Sequence, residues 1–588
     1  MLPGVTIALL NGQLGFQPAS NAEVLVYMGC STTLPVGTLA FYSNQTALQS
    51  ALGASGELVE AAAYELSVSG GPVGVLAMNP TTEGGFGSVS HSGTGTGTLS
   101  LSTAPPQSIA IACTTSGSLG TAAFTFQNGT GPVSAPVVSA SAWSSTGYRV
   151  PGTYTTLVFS AGSYLSTATQ DTYLVSTLGV VTHPTGSGPA VPTQTSSPLD
   201  WWTPVATIEV GGALATMQFN YSLDGTQANT SGNILSSSGG TYAIPGTGLV
   251  LTFSGTFTAG DAYNSSTAGP ATTNTDLVNA FAALQTTYLP SANYSMLCVL
   301  GNLASASTWA TQCATIQTQT TTLFNSNVFV RCFNGAPTIG TIIPNGSGGI
   351  TIDSADNDAA LITARAGVSA PRVAAAAGDV LLSSPLSGLS QRRNASWAAS
   401  GRAASVDPAE NIGATEDGAI QGVTFLYRDE TVTPALDAIG FITMRSFPGS
   451  VASGTGLPGF YITNGHTMDT VTSDYFPLTN ARVVDQASQI AYAAALAYVN
   501  AKIPTTTRNG LVGVITERKA QQIEAVITGK LNTALVEVVP QQAIAVQVQV
   551  NRDNNVLATS TLELTVGVQP FGYSEFIEVS IGFIPTAS

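Results

Sequence analysis

The residues most able to do chemistry are few and scattered. The 588-residue chain holds three histidines, His91, His183 and His466, and none stands at a metal-ligand spacing such as His-Glu-x-x-His. No Gly-x-Ser-x-Gly elbow occurs. Asp353, Asp356 and Asp358 form the densest acidic cluster. It lacks the glycine and distal glutamate of a calcium loop, so it reads as acids at a helix N-terminus. Asp200-Trp201-Trp202 has the composition of a sugar-stacking platform, yet an aromatic pair in a β-rich stretch is more often core or interface. Gly93-Thr94-Gly95-Thr96-Gly97-Thr98 has the glycine density of a phosphate loop but neither lysine nor a following helix, and reads as a turn or linker. Cys30, Cys113, Cys298, Cys313 and Cys332 are odd in number and form no Cys-x-x-Cys pair, so they read as buried free thiols. No catalytic, metal or cofactor site is expected, and no enzyme.

The elements around these residues must therefore carry the function. Charged residues are only 8% of the chain while Gly, Ser and Thr abound, which favours turn-rich β-domains. Net charge is −16 and unevenly spread: Arg149 is the one basic residue before Arg331, and fifteen follow from there. An acidic surface argues against direct nucleic-acid binding, and the asymmetry suggests two environments or partners. No run of about eighteen apolar residues appears, and the start has no basic region before its apolar stretch, so neither membrane insertion nor secretion is expected.

The fold expected is mixed α and β in several domains. Residues 1–20 form an N-terminal arm and 21–80 the first part of an α/β core. There Val24–Tyr27 and Val73–Met78 are strands, and a helix runs from a Ser43 cap to about Leu66. Residues 81–271 read as one or two inserted β-rich domains. The second part of the α/β domain spans 272–415, with helices near 276–289 and 303–324 and strands near 296–300 and 328–333. A C-terminal domain spans 416–570 and a strand arm 571–588. Within the C-terminal domain, a helix is expected over Asp485–Ala501, with Ile490, Ala494, Ala497 and Ala501 on one face and Asp485 favouring its N-terminal dipole. A second helix covers Thr516–Leu535, with Ile523, Ile527, Leu531 and Ala534 as its stripe. Two alternating strands, Ile544–Val550 and Leu562–Val568, flank the polar turn Asn551–Asn555.

Both ends alternate like strands: Val5, Ile7 and Leu9 at the start, Ile577, Val579, Ile581 and Phe583 at the finish. Chain ends usually fray and are polar. An apolar strand there needs an edge to pair with, in its own domain or in a neighbour by strand addition.

Leu2-Pro3-Gly4-Val5, the stretch Val24–Gly29, Gly71-Pro72-Val73-Gly74-Val75 and the C-terminal series of helices, hairpin and strand resemble the contractile tail sheath family, over residues 1–80 and 275–588. The resemblance implies a conserved α/β sheath core with a β-rich outer insertion. It implies subunits stacked as six-fold rings or a multi-start helix around an inner tail tube protein, with baseplate and tail terminator proteins at the ends. Terminal arms add strands to adjacent subunits. The extended sheath is metastable, and its collapse drives the tube through an envelope without a cofactor, as in genome ejection. Such a protein belongs to a virion tail assembled in host cytoplasm, or to the bacterial cytoplasm for an injection system. On this reading Lys519 and Lys530, eleven residues apart on one side of a helix, then Lys502, Arg508 and Arg518, would face an acidic tube; solvated charges are the plain alternative. A tail-fibre or surface adhesin is the competing reading, suggested by the Ser/Thr/Gly-rich block.

Overall fold

The structure is a computed structural model. It describes residues 23–81, 109–128, 200–223, 240–288, 305–337, 355–447 and 456–574, apart from positions 32, 54, 203, 246, 265 and 266, and shorter stretches between these segments. The proposed arm residues Val5, Ile7, Leu9, Ile577, Val579, Ile581 and Phe583, and Asp353, lie outside the described residues.

Near-continuous apolar runs make strands that are buried on both faces, the pattern of a parallel sheet covered by helices. Such a sheet organises the first unit. Its strands are β1 (Leu25–Cys30), β2 (Leu39–Tyr42), β3 (Val73–Met78), β4 (Met296–Val299), β5 (Arg331–Gly335) and β6 (Val373–Ala376). Their order is β2-β3-β1-β4-β5-β6, all parallel except the edge strand β2. Leu25, for example, pairs with Met296. Chain from before residue 81 and after residue 271 thus shares one sheet. Helices α1 (Gln45–Leu52), α2 (Glu57–Ser69) and α6 (Ala395–Ser405) cover one face with Tyr27, Val75, Cys298, Phe333 and Trp397. The helices α3 (Asn274–Thr286), α4 (Ala306–Asn325) and α5 (Ala355–Arg365) cover the other with Val26, Leu76, Leu297, Trp309 and Cys332.

Local chemistry sets the ends of these helices. Capping boxes, Thr273 with Asp276 and Ser305 with Thr308, start α3 and α4. The single helix expected after Ser43 is two. Asn44, not Ser43, caps α1 through its side chain, and the chain turns out at Gly53, whose φ of 90° suits glycine.

Residues 85–268 form two antiparallel β-units with separate aromatic cores, one around Phe124 and Trp143, the other around Phe219 and Phe253. Trp202 is buried in the second core and Asp200 forms a 2.5 Å ion pair with Arg393, so the Asp-Trp-Trp triplet is structural.

Strands β7 (Asp379–Ser383), β8 (Ser390–Asn394), β9 (Val423–Leu426), β10 (Met444–Phe447) and β11 (Leu457–Ile462) complete the first unit. Ile420, Leu426, Ile442, Met444 and Ile462 pack in the same core as Tyr27, so the expected boundary at 416 does not coincide with a change of core. The next core takes in Ala409 and α7 (Leu478–Ala495) and adds β12 (Thr505–Arg508), β13 (Leu511–Ile515), α8 (Glu517–Leu531), β14 (Ala545–Val550) and β15 (Leu564–Gln569).

Candidate assembly face

The C-terminal unit is built on two helices crossing a small sheet. The helix α7 begins at Leu478 after Pro477, seven residues before the expected start, and a 3-10 turn Leu496–Tyr498 ends it. Its buried row is Val483, Ala487 and Ala491, with Ile490 and Ala494 half-buried; Ala497 and Ala501 are exposed. The helix α8 buries Ala520, Ile523, Ile527 and Leu531. A π turn over Asn532–Val536 then inserts a residue, so Leu535 continues the apolar row in place of Ala534. Strands β14 and β15 pair antiparallel, Val548 opposite Val566. Their connection is longer than a tight hairpin: it runs from 551 to 563 and contains the one-turn helix Val556–Thr559, capped by Asn555. Arg552 ties this connection down, donating to Glu517 at 2.9 Å and to both oxygens of Glu524, while Glu524 also accepts from Val550 N at 2.7 Å. The Arg552 hydrogen bonds hold both carboxyls below the usual range.

Among the described residues no further strand pairs with β14 or β15, so this two-stranded sheet presents two open edges. A groove of about 500 Å³ separates the β15 side, with Val566 and Val568, from α7, with Asn480, Val484 and Ser488.

Buried charges fix α7 to the first unit. Asp485 stands 2.9 Å from Arg331 Nε and 3.0 Å from Arg372 Nη2; the three side chains are 9%, 5% and 11% exposed. It is a mid-helix ion-pair centre, not the helix-start acid expected from the sequence. Arg372 also donates to Val330 O at 2.9 Å and lies over the Phe324 ring. One turn earlier, Arg482 donates to Glu23 at 2.6 Å and to the carbonyls of Ala403 and Val406 at 2.8 and 3.0 Å.

Glu23 is the first described residue, and the other end of the described chain comes to the same helix. The Tyr573 hydroxyl donates to Ala409 O, in the core that also holds Val483 and Ala487 of α7. The described chain therefore begins on the first turns of α7 and ends in the core beside it.

The basic residues proposed from the sequence divide. Lys502, Arg518 and Lys530 are exposed, and among the described residues no acid stands within ion-pair distance of them. Arg508 faces Glu517 at 3.7 Å. Lys519 is half-buried, its ammonium 5.3 Å from the Tyr498 ring centre and 3.3 Å from Gln522 Oε1. Many arginines of the second half are pins inside the fold: Arg331, Arg393, Arg428 and Arg482 are all buried. Arg428 grips Asp358 at 2.9 Å, so that acid serves a buried ion pair in addition to its place near the start of α5. The charge asymmetry thus reflects internal pairing as much as different surroundings. Sequence reasoning missed Arg552, Arg482 and Glu23, because each finds its partner from a distant part of the chain. All five cysteines are free thiols, four of them buried.

Family models describe the chain in two consecutive parts: the DUF2586 N-terminal domain matches residues 2–466 and the DUF2586 C-terminal domain residues 474–588. No curated protein matches the chain. In structure it is similar to a sheath tail protein of Listeria innocua, at 10% identity over 94% of this chain and 96% of that one, with a TM-score of 0.40. It is similar to a sheath tail protein of Desulfitobacterium hafniense, at 10% identity over 97% and 100%, TM-score 0.38. A chain of the anti-feeding prophage baseplate is similar at 12% identity over 54% and 77%, TM-score 0.33.

Proposed function

The chain belongs to the DUF2586 family, and from that premise we propose that it is a structural subunit of a contractile tail sheath. Subunits polymerise as six-fold rings or a multi-start helix around an inner tube, between a baseplate and a terminator. The sheath contracts from a metastable extended state to drive the tube through an envelope.

The observation that carries this reading is the pair of open edges on β14–β15 beside an α7 that holds Glu23, with Tyr573 tied to Ala409 in the core that α7 shares. A two-stranded sheet is marginal alone, and open edges invite strands from another chain. The alternating segments Val5–Leu9 and Ile577–Phe583 have the pattern such edges accept. Neighbouring subunits supply them, each arm held to its own subunit at Glu23 or Tyr573. The exposed Lys502, Arg518 and Lys530 are the cations best placed to meet an acidic tube; Arg508 and Lys519 already have partners within the chain. Individually such pairs contribute about 0–1 kcal/mol, weak enough to release on contraction yet additive over a symmetric array. Residues 81–271 form an outward decoration.

Removal of residues 575–588 tests the reading. The account expects folded, soluble subunits that no longer form tubes. An adhesin would keep its receptor binding after the same cut, and tubes that persist would overturn strand exchange by this arm.

A further inference from the structure

The two β-units of residues 85–268 share one architecture. Each is built around a five-stranded sheet, a three-stranded sheet and a two-stranded ribbon, joined in the same way. In the first, the five-stranded order is 137–138, 123–128, 109–115, 172–175, 181–185; in the second it is 230–234, 218–222, 205–210, 262–264, 90–92. The three-stranded sheets are 148–150, 155–158, 193–196 and 241–243, 249–254, 98–103.

Residue-level features coincide. Gly117-Ser118-Leu119-Gly120-Thr121 and Gly212-Ala213-Leu214-Ala215-Thr216 make the same turn. In both, the carbonyl of the second residue accepts from the two backbone N–H groups three and four residues on, at 2.9 Å in each case. A Cβ built on either glycine would collide with the threonine hydroxyl four residues later. Phe124 and Phe159 lie 4.9 Å apart, Phe219 and Phe253 4.8 Å. Asp171 accepts from Leu165 N at 2.7 Å and its carbonyl from Cys113 N at 2.9 Å; Asp261 accepts from Thr258 N at 3.0 Å and its carbonyl from Ile208 N at 2.8 Å.

The two units differ in chain order. The last strand of each sheet comes from a two-strand arm: 90–92 with 98–103, or 181–185 with 193–196. The arms are alike in sequence, Val89-Ser90-His91-Ser92-Gly93-Thr94-Gly95 against Val181-Thr182-His183-Pro184-Thr185-Gly186-Ser187-Gly188. The single extra residue of the second arm falls where its pairing with 172–175 slips register. In sequence each arm precedes a body, 109–175 or 205–264. In space the first arm pairs with the second body, Leu101 opposite Leu251, and the second arm with the first body, Gln194 opposite Leu157.

We infer that residues 88–268 are a tandem duplication of one β-module whose arms have been exchanged. Each body presents the same acceptor edges, and either arm fits either body. Exchange nests the first module, 109–196, inside the second, which is joined to the α/β core through Asp200 and Arg393. The first module is a removable unit nested in the insertion.

Two deletions of equal length, in the full chain, test this. Removal of 107–198 takes away the nested module and leaves the first arm on its present body. Removal of 91–182 takes away one sequence repeat and leaves the second arm facing a body with which, among the described residues, it does not now pair. Equivalent arms predict that both variants unfold cooperatively and retain the same strand content. Cooperative folding of the first variant with collapse of the second would overturn the equivalence. Should both fail to fold, cysteine pairs in the undeleted chain decide the exchange. L101C/L251C should cross-link and L101C/L157C should not; the reverse would overturn the proposal.

Discussion

Asp485→Asn removes one charge from the joint between α7 and the parallel sheet. A helix-start acid would lose about 0.3–1 kcal/mol on this change. The structure sets a different scale. The carboxylate lies within 3.0 Å of two guanidinium groups, and all three side chains are about nine-tenths buried. The amide would leave Arg331 and Arg372 repelling one another, with only the more distant Glu23 to offset Arg331. Breaking a buried pair in this way costs about 3–5 kcal/mol. Hydrogen exchange of the α7 amides reads the opening energy directly, and should speed up by roughly two to three and a half orders of magnitude. Combining Arg372→Met with Asp485→Asn should recover part of the loss by removing the repulsion. A change below about 1 kcal/mol, with no recovery in the double variant, would refute the ion-pair account.

Burial raises the Glu65 carboxyl to about 8 and Glu60 to about 7 on α2, where Arg393 and the Ser384 hydroxyl only partly offset it for Glu60. The fold holds these protons while the unfolded chain releases them near pH 4, so their stabilisation is complete below about pH 4 and is lost as pH rises through about 8. Glu65→Gln should therefore melt several degrees above the parent at pH 8.5 and close to it at pH 5; a constant offset across that range would contradict the burial argument. Arg518→Glu with Lys530→Glu should preserve folding and self-assembly but abolish capture of an acidic tube protein in co-sedimentation at low salt, and unchanged capture would remove these residues from the tube interface.

Much of the scaffold was legible because it is local. Apolar runs marked β1, β3 and β4, and α3 and α4 begin two and three residues from the starts expected, at Asn274 and Ala306, where their capping boxes set them. Periodicity found α8 and the end of the helical run near Leu535, but not the π turn that changes the period at Asn532. It shifted α7 by seven residues, because burial against the first unit extends the helix to Leu478. The ion pairs around α7 and β14 were harder to see. Arg482 finds Glu23 across most of the chain, Arg552 closes on Glu517 and Glu524 from a loop, and Asp485 gathers arginines from β5 and the start of β6. Such pairings are set by topology, not by spacing. The duplicated β-module was present in the sequence as Val-Ser/Thr-His and Gly-x-Leu-x-Thr, but the low charge and Ser/Thr/Gly bias masked the repeat.

Negative-stain microscopy of the purified full chain tests the central claim most directly. The account predicts hollow, striated cylinders. Compact monomers or slender trimers under every condition would contradict it.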